Sequence, residues 1–442
     1  MPKRNLVIIV LIALPFFSKS QENSPYSRYG IGNLTPSGNI FNRGMGGISA
    51  GMADPTSINF LNPASYSNLI YTTFDVGADF ASRTIRSTNP QASFTSKNAI
   101  ISYLQFGFPL LNGNKKAIKK NMSWGLNFGL RPISKINYKI ENNRRIPNID
   151  SLQTTYEGSG GVNEAFIGTG IRFKNFSIGL NAGYAFGNKD YGTRLIFIND
   201  TVPYLKSNSA TTTHFGGGFL EAGIQYNIEL KKNQNLNLGA FGKLKQTYTG
   251  TQDILRESFS YNSNTGNPDK LDSIYQSSGI AGKVVLPSSF GVGFSVTKFT
   301  ENHIDKLVYG ADFEMTNWNN YSFYGQKDAV KNNWMTKAGI QYYPANSGSR
   351  KYWNFVKYRA GIYFGTDYIA ANRNLPLYGI TLGGGFPLKI KRSFYETQYS
   401  LMNVALDYGN RGNNNNLIRE NIFHISIGFS LSDVWFNRSK YQ

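Results

Sequence analysis

The sequence FHISIGFSL, residues 423–431, alternates apolar residues with small or polar ones without interruption. A period of two is the pattern of an extended strand whose two faces meet different surroundings. Its aromatic and aliphatic face carries Phe423, Ile425, Ile427, Phe429 and Leu431. The opposite face carries only polar and small residues, so this strand predicts a sheet with one apolar side.

The same alternation recurs along the chain and predicts 14 strands. An even number of strands about ten residues or longer is typical of a transmembrane antiparallel β-barrel, all-β in class. In lipid the sheet must close, because a free edge would leave backbone groups unpaired. The predicted strands are 69–82, 97–110, 121–141, 163–174, 176–187, 210–228, 235–250, 288–298, 306–316, 333–344, 354–367, 378–389, 398–409 and 418–431.

Composition supports strands and turns over helices. The chain has 46 Gly, 28 Tyr and 31 Phe, with 16% charged residues and a mean hydropathy of −0.34. Beyond the N-terminus no apolar run approaches the roughly 20 residues of a spanning helix, which excludes a helical membrane protein. The chain has 0 Cys, which excludes a disulfide framework and a thiol nucleophile.

Connection lengths give the barrel an orientation. If residue 69 enters from the periplasm, the outer connections are on average longer than the inner ones. The outer connections reach their greatest length at 251–287, whereas the inner connection at 174–175 is a tight turn. We therefore predict long outer loops and place both chain ends on the periplasmic side.

Residues 1–20 have the pattern of an export signal. Lys3 and Arg4 precede an apolar core at 6–17, and Ser18 and Ser20 form a small-x-small cleavage site. A formal charge of +20 ordinarily indicates nucleic acid as a binding partner. Export argues against nucleic acid as a partner. Outer-membrane lipids with anionic headgroups, or surface polysaccharide, are the better counterparts for this charge, and a surface charge bias without a partner is the alternative.

Residues 21–68 lack the alternation and are rich in Gly, Ser, Asn and Pro. A barrel of 14 strands is too wide for its own side chains to fill. We predict that 21–68 folds back into the lumen as a hatch, with 69–442 forming the barrel. A mobile periplasmic tail is the alternative.

A group of motif residues in this segment resembles the N-terminal hatch of the FadL-like outer-membrane transporters, which carry long-chain fatty acids and hydrocarbons. The C-terminal stretch 432–441 is similar to the ending of such proteins in the Bacteroidetes. Ser65 and Tyr66 depart from the family pattern, which usually continues with Gly-Leu. The matching hatch residues are Gly44, Met45, Gly46, Gly47, Asp54, Pro55, Asn59, Asn62, Pro63 and Ala64.

The resemblance implies a Gram-negative outer-membrane channel for hydrophobic, fatty-acid-like molecules. Passage would be gated by the hatch and would lead toward a lateral opening, without a cofactor or catalysis. The same scaffold serves a PorV-like shuttle barrel of type 9 secretion. The alternative is therefore a barrel that transports nothing and docks secretion or surface-assembly partner proteins.

A fatty acid would need a cation for its carboxylate inside an apolar lumen. Counting by two places candidate cations on the lumen face, where internal salt bridges are the alternative role. They are Arg131, Lys337, Lys357 and Arg359.

Catalysis has one candidate. Residues 47–51 match the G-x-S-x-G pattern around Ser49, and His424 faces the predicted lumen, as an outer-membrane lipase would need. In a chain with 46 glycines chance readily supplies this pattern. We predict no catalytic residues, and no ligand spacing indicates a metal site.

Overall fold

The structure is a computed structural model. It describes residues 24–111, 121–147, 150–198, 204–231, 233–261, 268–300, 305–344, 351–370, 373–388 and 399–434. The predicted signal at 1–20 and the start of the predicted hatch lie outside the described residues. None of the helices in these ranges is long and apolar enough to span a bilayer.

The chain forms one antiparallel sheet that closes on itself. Its elements are β1 (Asn33–Leu34), α1 (Ile40–Arg43), β2 (Thr72–Thr88), β3 (Gln91–Pro109), β4 (Met122–Ile146), β5 (Asp150–Phe173), β6 (Phe176–Phe197), β7 (Lys206–Lys231), β8 (Gln234–Lys243), β9 (Gln246–Tyr261), β10 (Pro268–Leu286), β11 (Ser289–Phe299), β12 (Asp305–Thr316), β13 (Ser322–Phe323), β14 (Asn333–Tyr342), β15 (Lys357–Thr366), β16 (Pro376–Pro387), β17 (Tyr399–Arg411) and β18 (Ile418–Asp433). Short 3₁₀ turns occur at Pro25–Arg28, Pro63–Asn68, Trp318–Asn320 and Tyr352–Phe355.

The wall of the barrel has 14 strands, which confirms the predicted fold. Of the 18 strands, β1 and β13 are two-residue segments outside the wall. The pairs β8/β9 and β10/β11 are each two halves of one bent wall strand. The last strand then pairs with the first, from Ile418 opposite Ser87 to Asp433 opposite Thr72. We call the end at the β2–β3 turn the outer end and the opposite end the inner end, following the predicted orientation in which both chain ends are periplasmic.

The two faces of the wall differ as the alternation predicts. Phe429 and Leu431 are 39% and 45% exposed on the outside, whereas Ser430 between them is 1% exposed. The outer face therefore presents an apolar band suited to lipid, and polar side chains line the interior.

The prediction of long outer loops is wrong. The strands continue past the predicted ends, and β9 with β10 occupies most of the interval 251–287 that we assigned to a loop. Beyond the lipid band both faces of a strand meet water, so the sequence there loses the alternation although the backbone ladder continues.

Residues 24–71, which we call the N-terminal segment, pack against the inner face of the wall. From Ser24 near the outer end the segment descends to the inner end, where β2 begins at Thr72. Its side chains include fully buried Ile40, Met45 and Ile58.

A row of glycines in the wall makes room for this segment. Gly125, Gly170, Gly179 and Gly223 lie directly opposite one another across the neighbouring strands β4 to β7. Each approaches the backbone or a side chain of residues 62–67 so closely that a Cβ would clash. We call these four residues the glycine row. It allows the Pro63–Asn68 turn to lie directly on the wall.

Candidate functional site

The wall is split between β3 and β4. Their shared ladder covers only Leu104–Pro109 on β3 and Gly125–Leu130 on β4. Toward the outer end β3 stays paired with β2, and β4 stays paired with β5. The two strands therefore diverge, and we call the opening between them the lateral gap.

Both strands are irregular where the lateral gap begins. Ser102 of β3 has no partner in the β2 register, and Ile133 of β4 has none in the β5 register. The neighbouring Pro132 has no backbone N–H, so it cannot donate to a strand on its free side. Bulges of this kind bend a strand and end its pairing.

The N-terminal segment occupies the free edge of β4 in the lateral gap. In β1, Asn33 pairs with Lys135 and Leu34 pairs with Ser134. Thr35 extends the contact, because its Oγ1 donates to Pro132 O at 2.8 Å. β1 thus pairs with a wall edge that β3 leaves free.

The close approach of this segment depends on Gly32. Its φ is +99°, a conformation that favours glycine, and an added Cβ would lie 2.5 Å from Lys135 O. On the opposite side of the lateral gap, Lys135 Nζ donates to Oδ1 of Asn98 on β3 at 2.6 Å. Side chains therefore bridge the gap where the backbone ladder does not.

A buried charge cluster holds the start of the segment at the outer end. Arg411 is ion-paired with Asp367 at 3.0 Å and with Glu420 at 3.2 Å. Ser24 Oγ donates to Glu420 at 2.6 Å, and the Arg411 guanidinium lies 4.8 Å from the centre of the Tyr26 ring. Because these groups are buried, each needs its partner to offset the loss of hydration.

Aromatic residues from two outer connections cover the segment. The rings of Trp318 and Tyr368 stack with centroids 4.1 Å apart. Tyr321 donates to Gly30 O at 2.9 Å, and the Asp328 carboxylate accepts from Gly30 N at 2.8 Å. The outer connections therefore fold inward and cover residues 26–32.

The predicted hatch residues lie at the inner end, in contact with the wall or with one another. Met45 is fully buried, and Gly46 N donates to Thr381 Oγ1 on β16 at 2.8 Å. Beside them, a Cβ on Gly44 would lie 3.1 Å from Gly383, and Gly47 lies over the Lys337 side chain. Gly46 and Gly47 both have positive φ, which explains their residue type.

The two asparagines of the predicted hatch hold the turns of the N-terminal segment together. Asn59 Nδ2 donates to Ser49 O at 2.7 Å and to Met52 O at 3.0 Å. Asn62 caps the Pro63–Asn68 turn by accepting from Ala64 N. Its Nδ2 also donates to Ala50 O at 2.7 Å, so it links two parts of the segment. Pro63 rests on the glycine row.

Asp54 anchors the segment through charge, next to the partly buried Pro55. Lys357 Nζ lies 3.3 Å from its carboxylate, and Thr56 donates to it through N and Oγ1. Burial disfavours the charged carboxylate, but Lys357 and the Thr56 hydrogen bonds outweigh this and hold the pKa of Asp54 below its ordinary value.

The structure gives each predicted lumen cation a protein partner. Arg131 pairs with Glu164 at 2.8 Å and with Glu221 at 2.5 Å, and Lys337 pairs with Glu314 at 2.6 Å. Arg359 donates to Gln341 and Asn403 at 2.8 Å each. With the Lys357–Asp54 pair, the structure supplies the alternative role of internal bridges, and ligand binding by these cations stays a prediction.

The structure does not bring together Ser49 and His424, the candidate catalytic pair. Ser49 Oγ donates to Gly47 O at 3.2 Å, whereas His424 Nδ1 lies 2.8 Å from Asp79. In the described ranges, no group of three or more His, Cys, Asp and Glu residues is placed to hold a metal ion.

Sequence reasoning missed the residues that shape the lateral gap and the outer closure. Arg411, Asp367 and Trp318 carry no motif and come together only through the fold. Pro132 offered a signal, because a proline within an alternating strand indicates a bulge or an unpaired side.

Comparison with known proteins identifies the family and the fold of the chain. The family model BamG matches residues 1–442. No curated protein sequence matches the chain. Among solved structures it is similar to the CymD monoaromatic hydrocarbon channel, with a TM-score of 0.51, 14% identity, and 92% of this chain and 100% of that chain covered.

Two further structures give the same picture. The toluene transporter TodX of Pseudomonas putida and a FadL homologue of Pseudomonas aeruginosa each have a TM-score of 0.52 and 13% identity. Each comparison covers 91% of this chain and 99% of the other. At this identity the likeness shows a common fold, the FadL-like barrel.

Proposed function

The chain belongs to the BamG family, and on its FadL-like fold we propose that it is an outer-membrane channel for hydrophobic small molecules. The lateral gap is the observation that carries this proposal. Molecules would pass between the lumen and the surrounding lipid through the gap, not straight through the barrel. Residues 1–20 would direct export and be removed.

The position of β1 supports a gate. Leaving the free edge of β4 unpaired in lipid is costly, because its backbone groups would lack hydrogen-bond partners. β1 satisfies part of this edge with a strand of only 2 residues. Withdrawal of residues 33–35 therefore breaks few hydrogen bonds, while the ladders of the wall stay intact.

The inner part of the segment supports a lateral route. Residues 40–69 are almost entirely buried and lie on the glycine row and on neighbouring strands. Moving them would break many buried hydrogen bonds at once. The short contact in the lateral gap is the less costly one to open.

The interior favours apolar cargo. Phe166, Phe215, Phe219 and Tyr248 belong to one buried aromatic and aliphatic cluster facing the segment. Such a lining would accept a hydrocarbon chain or ring once residues 33–35 move. For a fatty-acid-like molecule, Arg131 would be a carboxylate partner, since its Nη1 has no hydrogen-bond partner in the described part of the chain.

A disulfide across the gate tests the proposal in a chain with 0 Cys. Leu34 and Ser134 are directly paired, which is compatible with a bridge after both are changed to Cys. In liposomes holding the oxidised full-length protein, uptake of a hydrophobic fluorescent probe should stop, and reduction should restore it.

The control bridge joins residues that remain paired throughout. Thr84 and Thr95 lie opposite each other on β2 and β3, with their hydroxyls 3.0 Å apart. The Thr84→Cys/Thr95→Cys bridge should leave uptake unchanged. Equal uptake with the Leu34–Ser134 bridge closed would overturn the lateral gate.

The packing at both ends of the barrel favours a second candidate, a barrel that docks secretion or surface-assembly partners. Aromatic residues cover the N-terminal segment at the outer end, and residues 40–69 pack against the wall at the inner end. Native mass spectrometry of the protein from its own membrane separates the candidates. A stoichiometric protein partner, with no bound apolar molecule and no probe uptake, would favour docking.

A further inference from the structure

The outer face of β18, β2 and β3 changes character toward the outer end. On the three strands, residues that lie side by side form rows, because the registers are continuous from Ala78 to Ser87 of β2. The apolar row Ile425, Phe80 and Ala99 is followed by Phe423, Ser82 and Lys97, and then by Asn421, Thr84 and Thr95. The next row is Arg419, Arg86 and Ser93.

Two arginines lie directly opposite each other in the last of these rows. Arg86 is exposed and Arg419 is half-buried, and both share the outward face with Phe423. Like charges directly opposite on adjacent strands repel each other. Among the described residues neither arginine takes part in an ion pair, and the nearby Glu420 is paired with Arg83 and Arg411 instead.

The donors of the pair are only partly used. Arg419 Nη1 donates to Asn414 Oδ1, but its buried Nε has no partner within the described ranges. A cavity of 590 Å³ opens beside the two guanidinium groups. Its lining residues are Arg86, Ser87, Gln91, Ala92, Ser93 and Arg419.

The height of the pair above the apolar band fits an anionic headgroup. Arg86 is four residues beyond Ser82, which corresponds to about 10 Å in height at the rise and tilt of barrel strands. Ser82 is level with Phe423, the last large apolar residue on the outward face of β18 before the polar rows. The guanidinium groups therefore reach the level where phosphates lie at a lipid surface.

We propose that Arg86 and Arg419, with Ser93, bind a phosphate of an outer-leaflet lipid headgroup. Two guanidinium forks can hold one phosphate by parallel hydrogen bonds, and the shared anion removes their mutual repulsion. Lys97, on the membrane side of the same face, is placed for a second anionic group of the same lipid. This site lies outside the lumen and is independent of transport.

The test compares two charge-matched variants of the full-length protein in detergent. Arg86→Gln/Arg419→Gln removes the facing pair. Arg144→Gln/Arg145→Gln removes two exposed charges at the outer end of β4, where neighbouring residues on one strand point to opposite faces. Native mass spectrometry would follow binding of diphosphorylated lipid A, dephosphorylated lipid A and inorganic phosphate after delipidation.

We expect the diphosphorylated lipid to bind the unchanged protein and the Arg144/Arg145 variant equally. The Arg86/Arg419 variant should bind it about tenfold or more weakly, the loss expected for two charge-assisted contacts. Undiminished binding by that variant, or an equal loss in both variants, would overturn the site.

Binding of dephosphorylated lipid A and competition by inorganic phosphate identify the source of the anion. Dephosphorylated lipid should bind no better to the unchanged protein than to the Arg86/Arg419 variant. Displacement of the lipid by inorganic phosphate at comparable concentration would show that the lipid chain adds nothing, and would overturn the lipid assignment in favour of a free-phosphate site.

Discussion

Arg411 on β17 donates through Nη1 to Oδ1 of Asn33 in β1, at 2.9 Å. The hydrogen bond joins the charge cluster at the outer end to the strand that occupies the lateral gap. Arg411 therefore positions β1 as well as the start of the segment, and loss of its side chain should affect both.

We expect Arg411→Gln to raise leakage of small solutes and to lower heat stability. The change leaves Asp367 and Glu420 buried with less compensation, a loss of about 3–5 kcal/mol for a broken buried pair. Solute efflux from liposomes and the temperature of the gel-mobility shift measure the two effects. Lys139→Gln, which breaks an exposed pair with Glu141, is the charge-matched control and should change neither.

A substitution at Gly32 should open the lateral gap. Gly32→Ala places a Cβ against Lys135 O and pushes the chain away from β4, so uptake of a hydrophobic probe should rise. Gly38→Ala is the control, because Gly38 also has a positive φ but its nearest neighbour would lie 3.5 Å from the added Cβ. Equal effects would mean that backbone strain, not the contact with β4, is responsible.

The glycine row should tolerate no side chain at its centre. Gly179→Ala directs a Cβ into the backbone of Pro63, and overpacking of this kind costs about 1–3 kcal/mol. Limited proteolysis should then cleave residues 60–70 faster. Gly218→Ala on β7, where the nearest atom would lie 3.9 Å away, should leave the cleavage rate unchanged.

Acid should loosen the inner end of the N-terminal segment only at low pH. The pKa of Asp54 is lowered by folding, so its stabilising contribution is complete above its ordinary pKa and is lost as the pH falls through the lower folded value. Amide exchange of residues 50–57 should be constant from about pH 7 to 5 after correction for intrinsic rates, and should accelerate below about pH 4. In Asp54→Asn, amide exchange of residues 50–57 should be faster at neutral pH and should no longer accelerate in acid. If the acceleration in acid stays unaltered, a group other than Asp54 causes it.

The alternation predicted the wall because the period of two reports which surroundings each face of a strand meets. It could not predict the lateral gap, since residues in β3 keep alternating whether or not β4 is their neighbour. The irregularity at Ser102 has no mark in the sequence, and the sign of an unpaired edge that Pro132 offered was missed.

The path of the N-terminal segment was equally hidden. Its contacts are single hydrogen bonds and short turns, such as Asn62 capping Pro63–Asn68, and these have no period. The motif residues predicted a hatch role for residues 44–64. They did not predict that residues 33–35 would lie against β4. Charge pairing of Arg131 with Glu164 and Glu221 depends on the registers of β4, β5 and β7, which the alternation does not specify.

Glu420 has a consequence for the order in which the molecule is assembled. This one carboxylate lies on the last strand and contacts Arg83 on the first wall strand, Arg411 on the preceding strand and Ser24 at the start of the described chain. Its partners meet only when β18 reaches β2. Pairing of β18 with β2 and binding of Ser24 at the outer end are therefore completed together. A barrel that closed without the N-terminal segment inside would leave this carboxylate without Ser24.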